Sequence, residues 1–212
     1  MISHDRHIGD EFNEEYFERG ITTGRSIYEN YRWMPERSLV EAHWFVTHMH
    51  CHQAAPIMDF GCAKGFFVRA LRLLGYRAYG VDISEYAISR APNDVREFIE
   101  CQGRPSRYCE FGLCKDVLEH CDGYDHLNTT VVAMAASVRR WLIIVPLGDG
   151  TDYVIPDYEN DDTHRIRYTA EEWLTAIERM FTVDQATYHL HGFKMNWAHY
   201  PQGNLFVMAT VK

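Results

Sequence analysis

The segment IMDFGCAKGFFVRALRLLGYRAYGVDISEYAI, running from Ile57 to Ile88, decides the fold. Pro56 to Phe60 is a short apolar run closed by a glycine-bearing turn, which predicts a buried strand. Phe66 to Leu74 has helical spacing and is stopped by Gly75. Tyr76 to Val81 predicts a second strand, and Ser84 to Arg90 a second helix broken by Pro92. Strand, helix, strand, helix in that order implies right-handed crossovers and a parallel sheet covered on both faces. Such sheets place their ligands at the carboxyl ends of the strands.

The alternation continues on the carboxyl side. Glu97-Phe98-Ile99, Tyr108 to Cys114 and Trp141 to Pro146 predict strands, with helices at Val117 to His120 and Asn128 to Val138. A helix from Ala170 to Phe181 follows Thr169, and strands near Val183 to Leu190 and Leu205 to Val211 are joined by a connection that permits an antiparallel pair. On the amino side, residues 1–52 are polar and aromatic, with a helix from Ser38 to His50 in which Ser38 is placed to cap. The expected fold is α/β: a doubly wound, mostly parallel, seven-stranded, Rossmann-like sheet with a C-terminal antiparallel hairpin and an N-terminal helical cap. The expected division is a cap at 1–52 and a Rossmann-like domain at 53–212.

Composition removes several function classes. Of 212 residues 46% are apolar and 24% charged, an ordinary globular balance that argues against disorder. The 21 Lys and Arg against 30 Asp and Glu give a net charge of −9, the wrong sign for a phosphate-neutralising surface, so a nucleic-acid partner is not expected. The longest apolar run, Trp141 to Leu147, is far short of the roughly 20 residues a bilayer span requires. The first six residues hold no apolar signal-peptide core. Six scattered cysteines without C-x-x-C spacing point to reduced thiols, so a cytoplasmic protein is expected.

The chemistry concentrates in Asp59-Phe60-Gly61-Cys62-Ala63-Lys64-Gly65, between the first strand and its helix, and in Gly80-Val81-Asp82-Ile83 at the end of the second strand. The glycines let backbone turn tightly and approach a ligand, and the helix start offers free N–H groups. A carboxylate at position 82 can accept both hydroxyls of a ribose. A dinucleotide fingerprint would read G-x-G-x-x-G; this chain reads acid-x-G-x-A-x-G.

That pattern resembles motif I of the class I S-adenosylmethionine-dependent methyltransferases, and residues 57–88 are similar throughout to the small-molecule branch of that family. Lys115-Asp116-Val117-Leu118-Glu119-His120 is similar to the family's segment after its fourth strand. Asp161 to Thr169, with Glu171-Glu172-Trp173, is similar to the loop and helix after its fifth. The resemblance spans roughly residues 55–180. It implies that Asp59, Gly61, Cys62, Ala63 and Gly65 surround the amino-acid end of S-adenosylmethionine, that Asp82 takes the ribose and Ile83 lies against adenine, and that Lys115 and Asp116 border the methionine portion. Ala63 stands where the family usually has glycine, which a negative φ would accommodate. The acidic residue that often meets the adenine amino group is not evident between Ile99 and Tyr108. The implied activity is methyl transfer to a small polar acceptor, a sugar or metabolite hydroxyl. RNA or protein methylation and a non-catalytic cofactor-binding subunit are the alternatives, and the oligomeric state is not readable.

Displacement at a sulfonium methyl depends on alignment and exclusion of water, so a cap is expected. Tyr16-Phe17 and Tyr28 to Trp33 are the candidates, with Tyr28 and Tyr31 placed against the cofactor, their ring faces suited to a cationic sulfur. An oxygen acceptor must also lose a proton, and His120 and His164 are the candidate bases. His48, His50 and His52 are read as solvated histidines at a helix end, with no metal expected. Arg165 and Arg167 sit in the expected substrate loop, where they could meet an anionic group. Residues 189–200, with Phe193, Trp197 and Tyr200, either line a cleft or pack on their own sheet.

Overall fold

The computed structural model describes residues 8–212. After a 3-10 turn at Ile8–Glu11, the elements in chain order are α1 (Glu14–Glu18), α2 (Gly20–Thr23), α3 (Pro35–His48), β1 (Pro56–Phe60), α4 (Phe66–Leu73), β2 (Arg77–Asp82), α5 (Glu85–Ser89), β3 (Ile99–Cys101), β4 (Cys109–Lys115), α6 (Gly123–Ser137), β5 (Val138–Pro146), α7 (Ala170–Glu178), β6 (Phe181–Thr187) and β7 (Asn204–Val211). The strands form one seven-stranded sheet in the order β3-β2-β1-β4-β5-β7-β6. The first five in that order are parallel, and β7 runs antiparallel to both β5 and β6. β1 therefore lies centrally between β2 and β4, and the order reverses beside it, which opens a crevice above the carboxyl end of β1.

The apolar run of β5 explains why the sheet is covered twice. Trp141, Ile143 and Val145 join a cluster with α6 and α7 through Leu127, Met134 and Trp173. Leu142 and Ile144 point the other way, into a cluster with Phe45, Val46 and Leu71 of α3 and α4. Alternation with period two divides one continuous apolar run between two cores. Within the 1–52 segment, α3 is thus a sheet-covering helix, and the elements before it close over the crevice.

Several local expectations change. α3 begins at Pro35, not Ser38: proline fits the first helical position because its missing N–H is not required there, and Ser38 donates its backbone N–H to Met34 O at 3.0 Å instead of capping. The helix ends at His48 and the chain turns at His50, whose φ is +53°. Glu97 and Phe98 form a 3-10 turn, and the strand starts at Ile99. The segment Val117 to His120 is likewise a 3-10 turn, at Leu118–His120. α6 starts five residues before Asn128, at Gly123. Strand β6 ends at Thr187. Among the described residues no helix is long and apolar enough to cross a membrane.

Candidate active site

The turn after β1 is tied to β2 by Gly61 and Cys62, whose N–H groups donate to Val81 O at 2.9 and 3.0 Å. Gly61 has φ +78°, and a Cβ there would lie 2.3 Å from Val117 Cγ2, so the position admits no side chain. Ala63 differs from the expectation of negative φ: it adopts +48°. Its N–H donates to Asp82 Oδ2 at 2.7 Å, and that bond holds an alanine in a region it otherwise avoids. Asp82 Oδ1 accepts from Ser84 N at 2.8 Å. Each carboxylate oxygen is thus fixed by one backbone N–H and keeps a lone pair for a further donor. Burial raises the Asp82 pKa, and these N–H bonds oppose the rise. Gly80 lets the turn approach, because a Cβ there would meet Cys62 Sγ at 2.7 Å.

This turn forms one side of a cavity of about 390 Å³, a size usual for small-molecule sites. Asp59, Gly61, Cys62, Ala63, Asp82, Ile83, Lys115, Asp116, Tyr28, Tyr31 and His120 all line it. Gly65 does not; it starts α4 in a left-handed conformation, φ +74°. His164 stands behind the wall instead of in it. Buried Asp59 has its carboxyl pushed up to about 8 by desolvation, with Lys115 acting in the opposite direction.

A roof of aromatic residues covers the cavity. Asn13 caps α1 by accepting from Glu15 and Tyr16 N–H, and Ile21 N–H donates to Tyr28 O at 3.0 Å, which folds residues 14–31 into a compact hairpin. Tyr16, Phe17, Tyr28 and Tyr31 pack ring against ring. The hairpin is pinned to the body by a buried lysine in motif I: Lys64 pairs with Glu18 and donates to Tyr31 O at 2.6 Å. Tyr86 Oη donates to Glu18 at 2.9 Å and Tyr16 Oη to Asp161 Oδ2 at 2.9 Å.

The far end is polar. Lys194, from the connection between β6 and β7, pairs with Asp116 Oδ1 at 2.7 Å, and Lys115 stands 3.6 Å from Asp116 Oδ2. Burial is the largest influence on the Asp116 carboxyl and acts upward, but Lys194 and Lys115 together hold it down at about 2. His120 reaches the cavity with its imidazole pKa lowered to about 4 by burial and by His164, whose ring centroid is 4.7 Å away. Burial also lowers His164. Glu119 is buried beside them, its pKa raised by desolvation and by Asp116.

Other expectations resolve differently. Arg165 pairs with Glu11 at 2.5 Å and Arg167 with Glu159 at 2.6 Å, so both guanidiniums are engaged by carboxylates instead of meeting an anionic group. His48 meets His191 O and His52 meets Glu110, and the three histidines do not converge. Of the 189–200 connection, Phe193 packs in the core, Trp197 and Tyr200 stay partly exposed, and Lys194 alone lines the cavity. Gln102 and Gly103, just beyond β3, also line it, as do Arg37 and Glu41 of α3. The turn past β3 was readable as a strand end; Lys194 carries no local signal.

Residues 33–185 match the family model described as a methyltransferase domain. A search of curated proteins finds no match by sequence. Among solved structures, magnesium protoporphyrin IX methyltransferase from Synechocystis PCC 6803, with bound S-adenosylmethionine, is similar at 15% identity and TM-score 0.62, over 97% of this chain and 95% of that one. The 1,6-didemethyltoxoflavin-N1-methyltransferase of Burkholderia thailandensis, with bound S-adenosylhomocysteine, is similar at 15% identity and TM-score 0.58, over 84% and 80%. A putative methyltransferase in complex with the Haloferax volcanii Trm112 activator is similar at 13% identity and TM-score 0.62, over 84% and 92%.

Proposed function

Since the chain belongs to the class I S-adenosylmethionine-dependent methyltransferases, we propose that it methylates a small polar acceptor held between the aromatic roof and the His120–Asp116–Lys194 end of the cavity. The observation that carries this is the enclosure: a cavity of about 390 Å³ with a carboxylate cradle at one end and a polar cluster at the other. Asp82 would take the ribose hydroxyls, Ile83 with Gln102 and Gly103 the adenine, and Asp59 the cationic amino group of the methionine portion. Gly61, Cys62 and Ala63 would supply backbone along the methionine chain, Gly65 would shape the turn, and Tyr28 and Tyr31 would shield the sulfonium.

A roofed cavity and a net charge of −9 favour a small acceptor over RNA. The six free cysteines suit a reducing, cytoplasmic setting. Burial lowers the pKa of both His120 and His164, and His120, which lines the cavity, turns an uncharged imidazole toward the acceptor. Calorimetry with S-adenosylhomocysteine, followed by transfer of labelled methyl into a small-metabolite fraction, tests the assignment. Label appearing only in RNA or protein would overturn the acceptor class, and binding without any labelled product would favour a non-catalytic subunit.

A further inference from the structure

Glu119, His120 and His164 bring one carboxylate oxygen and two imidazole nitrogens within 4.8 Å of one another, beside the acceptor end of the cavity. The hydrogen bonds fix which nitrogens are free. Thr163 Oγ1 donates to Asp161 Oδ1 at 2.5 Å, so toward His120 Nδ1, 2.8 Å away, it acts as acceptor. The Thr163 carbonyl lies 3.3 Å from the same Nδ1 and can only accept. His164 Nδ1 faces the Tyr158 carbonyl at 2.9 Å. Both rings therefore carry their proton on Nδ1 and present bare Nε2 lone pairs. Histidines that bind metals are oriented in this way, by giving the other ring N–H to a carbonyl or an acceptor hydroxyl.

An independent observation lies at the same place. Glu119 is 1% exposed, and its Oε2 is buried without any hydrogen-bond partner. His164 Nε2 stands 4.0 Å from Glu119 Oε1 and 3.9 Å from Asp161 Oδ2, too far for a hydrogen bond. A buried carboxylate oxygen without a partner thus lies in a group whose ligand atoms are within 4.8 Å of one another, an arrangement whose cost falls once a proton or a cation joins them.

We propose that Glu119, His120 and His164 bind a divalent first-row transition cation, which in turn holds the acceptor. Two neutral imidazoles and one carboxylate suit zinc, manganese, iron or cobalt in preference to magnesium or calcium. Ligand atoms at ~2.1 Å around one ion stand roughly 3.4 Å apart, so the three side chains close by about 1 Å on binding. Asp116 and Asp161 supply negative charge around the ion, and Lys194 is already neutralised by Asp116. Because His120 faces the cavity, the open coordination positions point at the acceptor and select one with an oxygen donor. This rests on the methyl-transfer assignment above. The cation-bound hydroxyl loses its proton to water. Its oxygen then bonds to the methyl carbon while the carbon–sulfur bond breaks, its electron pair returning to sulfur to leave S-adenosylhomocysteine.

The test is titration of the metal-stripped full chain with Co²⁺, in parallel with calorimetry of S-adenosylhomocysteine on the same material. Visible d–d absorption should saturate at one ion per chain and disappear on adding Zn²⁺. Glu119→Gln should weaken Co²⁺ by at least about tenfold while nucleoside affinity is kept. X-ray absorption of the Co²⁺-loaded wild-type protein should show two imidazoles and no sulfur, a result that does not depend on the variant folding. Absent Co²⁺ absorption with the nucleoside still bound, unchanged Co²⁺ affinity in Glu119→Gln, or a sulfur ligand would each overturn the site. Failure of the wild-type chain to bind the nucleoside would instead strike the methyltransferase assignment, leaving the Co²⁺ result to stand on its own.

Discussion

Asp82 and Asp59 sit in the same cavity and do opposite things with their charge. Asp82 is held by Ala63 and Ser84 N–H groups and is proposed to accept two charge-assisted hydrogen bonds from a ribose. Such bonds contribute about 1.5–3 kcal/mol each, so Asp82→Ala should raise the Kd for S-adenosylhomocysteine at least about a hundredfold; calorimetry giving an unchanged Kd would contradict the assignment. Asp59, with its carboxyl at about 8, is mostly protonated at neutral pH until a cationic amino group arrives. Binding should then release a proton, and affinity should rise with pH by up to about tenfold per unit before levelling above pH 8. Binding heats that do not differ between phosphate and Tris buffers would show that no proton moves. The place of both aspartates in the cavity wall was legible because the turn after β1 and the end of β2 belong to one short stretch of chain. Lys194 was not, since its role exists only once the β6–β7 connection folds back onto Asp116.

At the level of elements, one ion pair between a buried lysine and a partly exposed glutamate helps to hold the roof. Lys64 belongs to motif I, yet it turns away from the cavity to hold Glu18 of α1 and the Tyr31 carbonyl. Glu18→Gln keeps the hydrogen-bond acceptor and removes only its charge. With Glu18 partly exposed, a loss of about 1 kcal/mol is expected, lowering the melting midpoint by roughly 2–4 °C and speeding release of S-adenosylhomocysteine in stopped flow. Equal release rates in variant and wild type would mean the roof is held elsewhere. Tyr16-Phe17 and Tyr28 to Trp33 were the cap candidates in the sequence, and Tyr16, Phe17, Tyr28 and Tyr31 line the cavity. Periodicity in α3 marks a buried face without saying what covers it; only the shared cluster with β5 and α4 assigns it to the sheet.

For the whole molecule, buried carboxyls set the pH response. Asp59, Asp82 and Glu119 all have folded pKa values above their unfolded ones, so their contribution to stability is full below about pH 4 and is lost as pH rises through the folded values. His120 and His164 are shifted downward, so their contribution is complete above about pH 6.5 and opposes the carboxyls only below it. Between pH 6.5 and 8 the ligand-free protein should therefore lose stability, by at least about 1 kcal/mol per pH unit while Asp59 remains protonated. Urea melts across that window test this, and a flat or rising profile would refute it. The β–α alternation made the parallel half of the sheet readable. The insertion of β7 between β5 and β6 was not, because strand order is chosen by long-range pairing that no local pattern records. That insertion carries a consequence of its own. The proposed nucleoside end is lined mainly by residues between 59 and 103, while the proposed acceptor end borrows from the N-terminal hairpin and from a lysine on the β6–β7 connection. On that proposal, lengthening or reshaping the connection retunes what is methylated and leaves the methyl source untouched, so the two halves of the cavity are free to diversify separately.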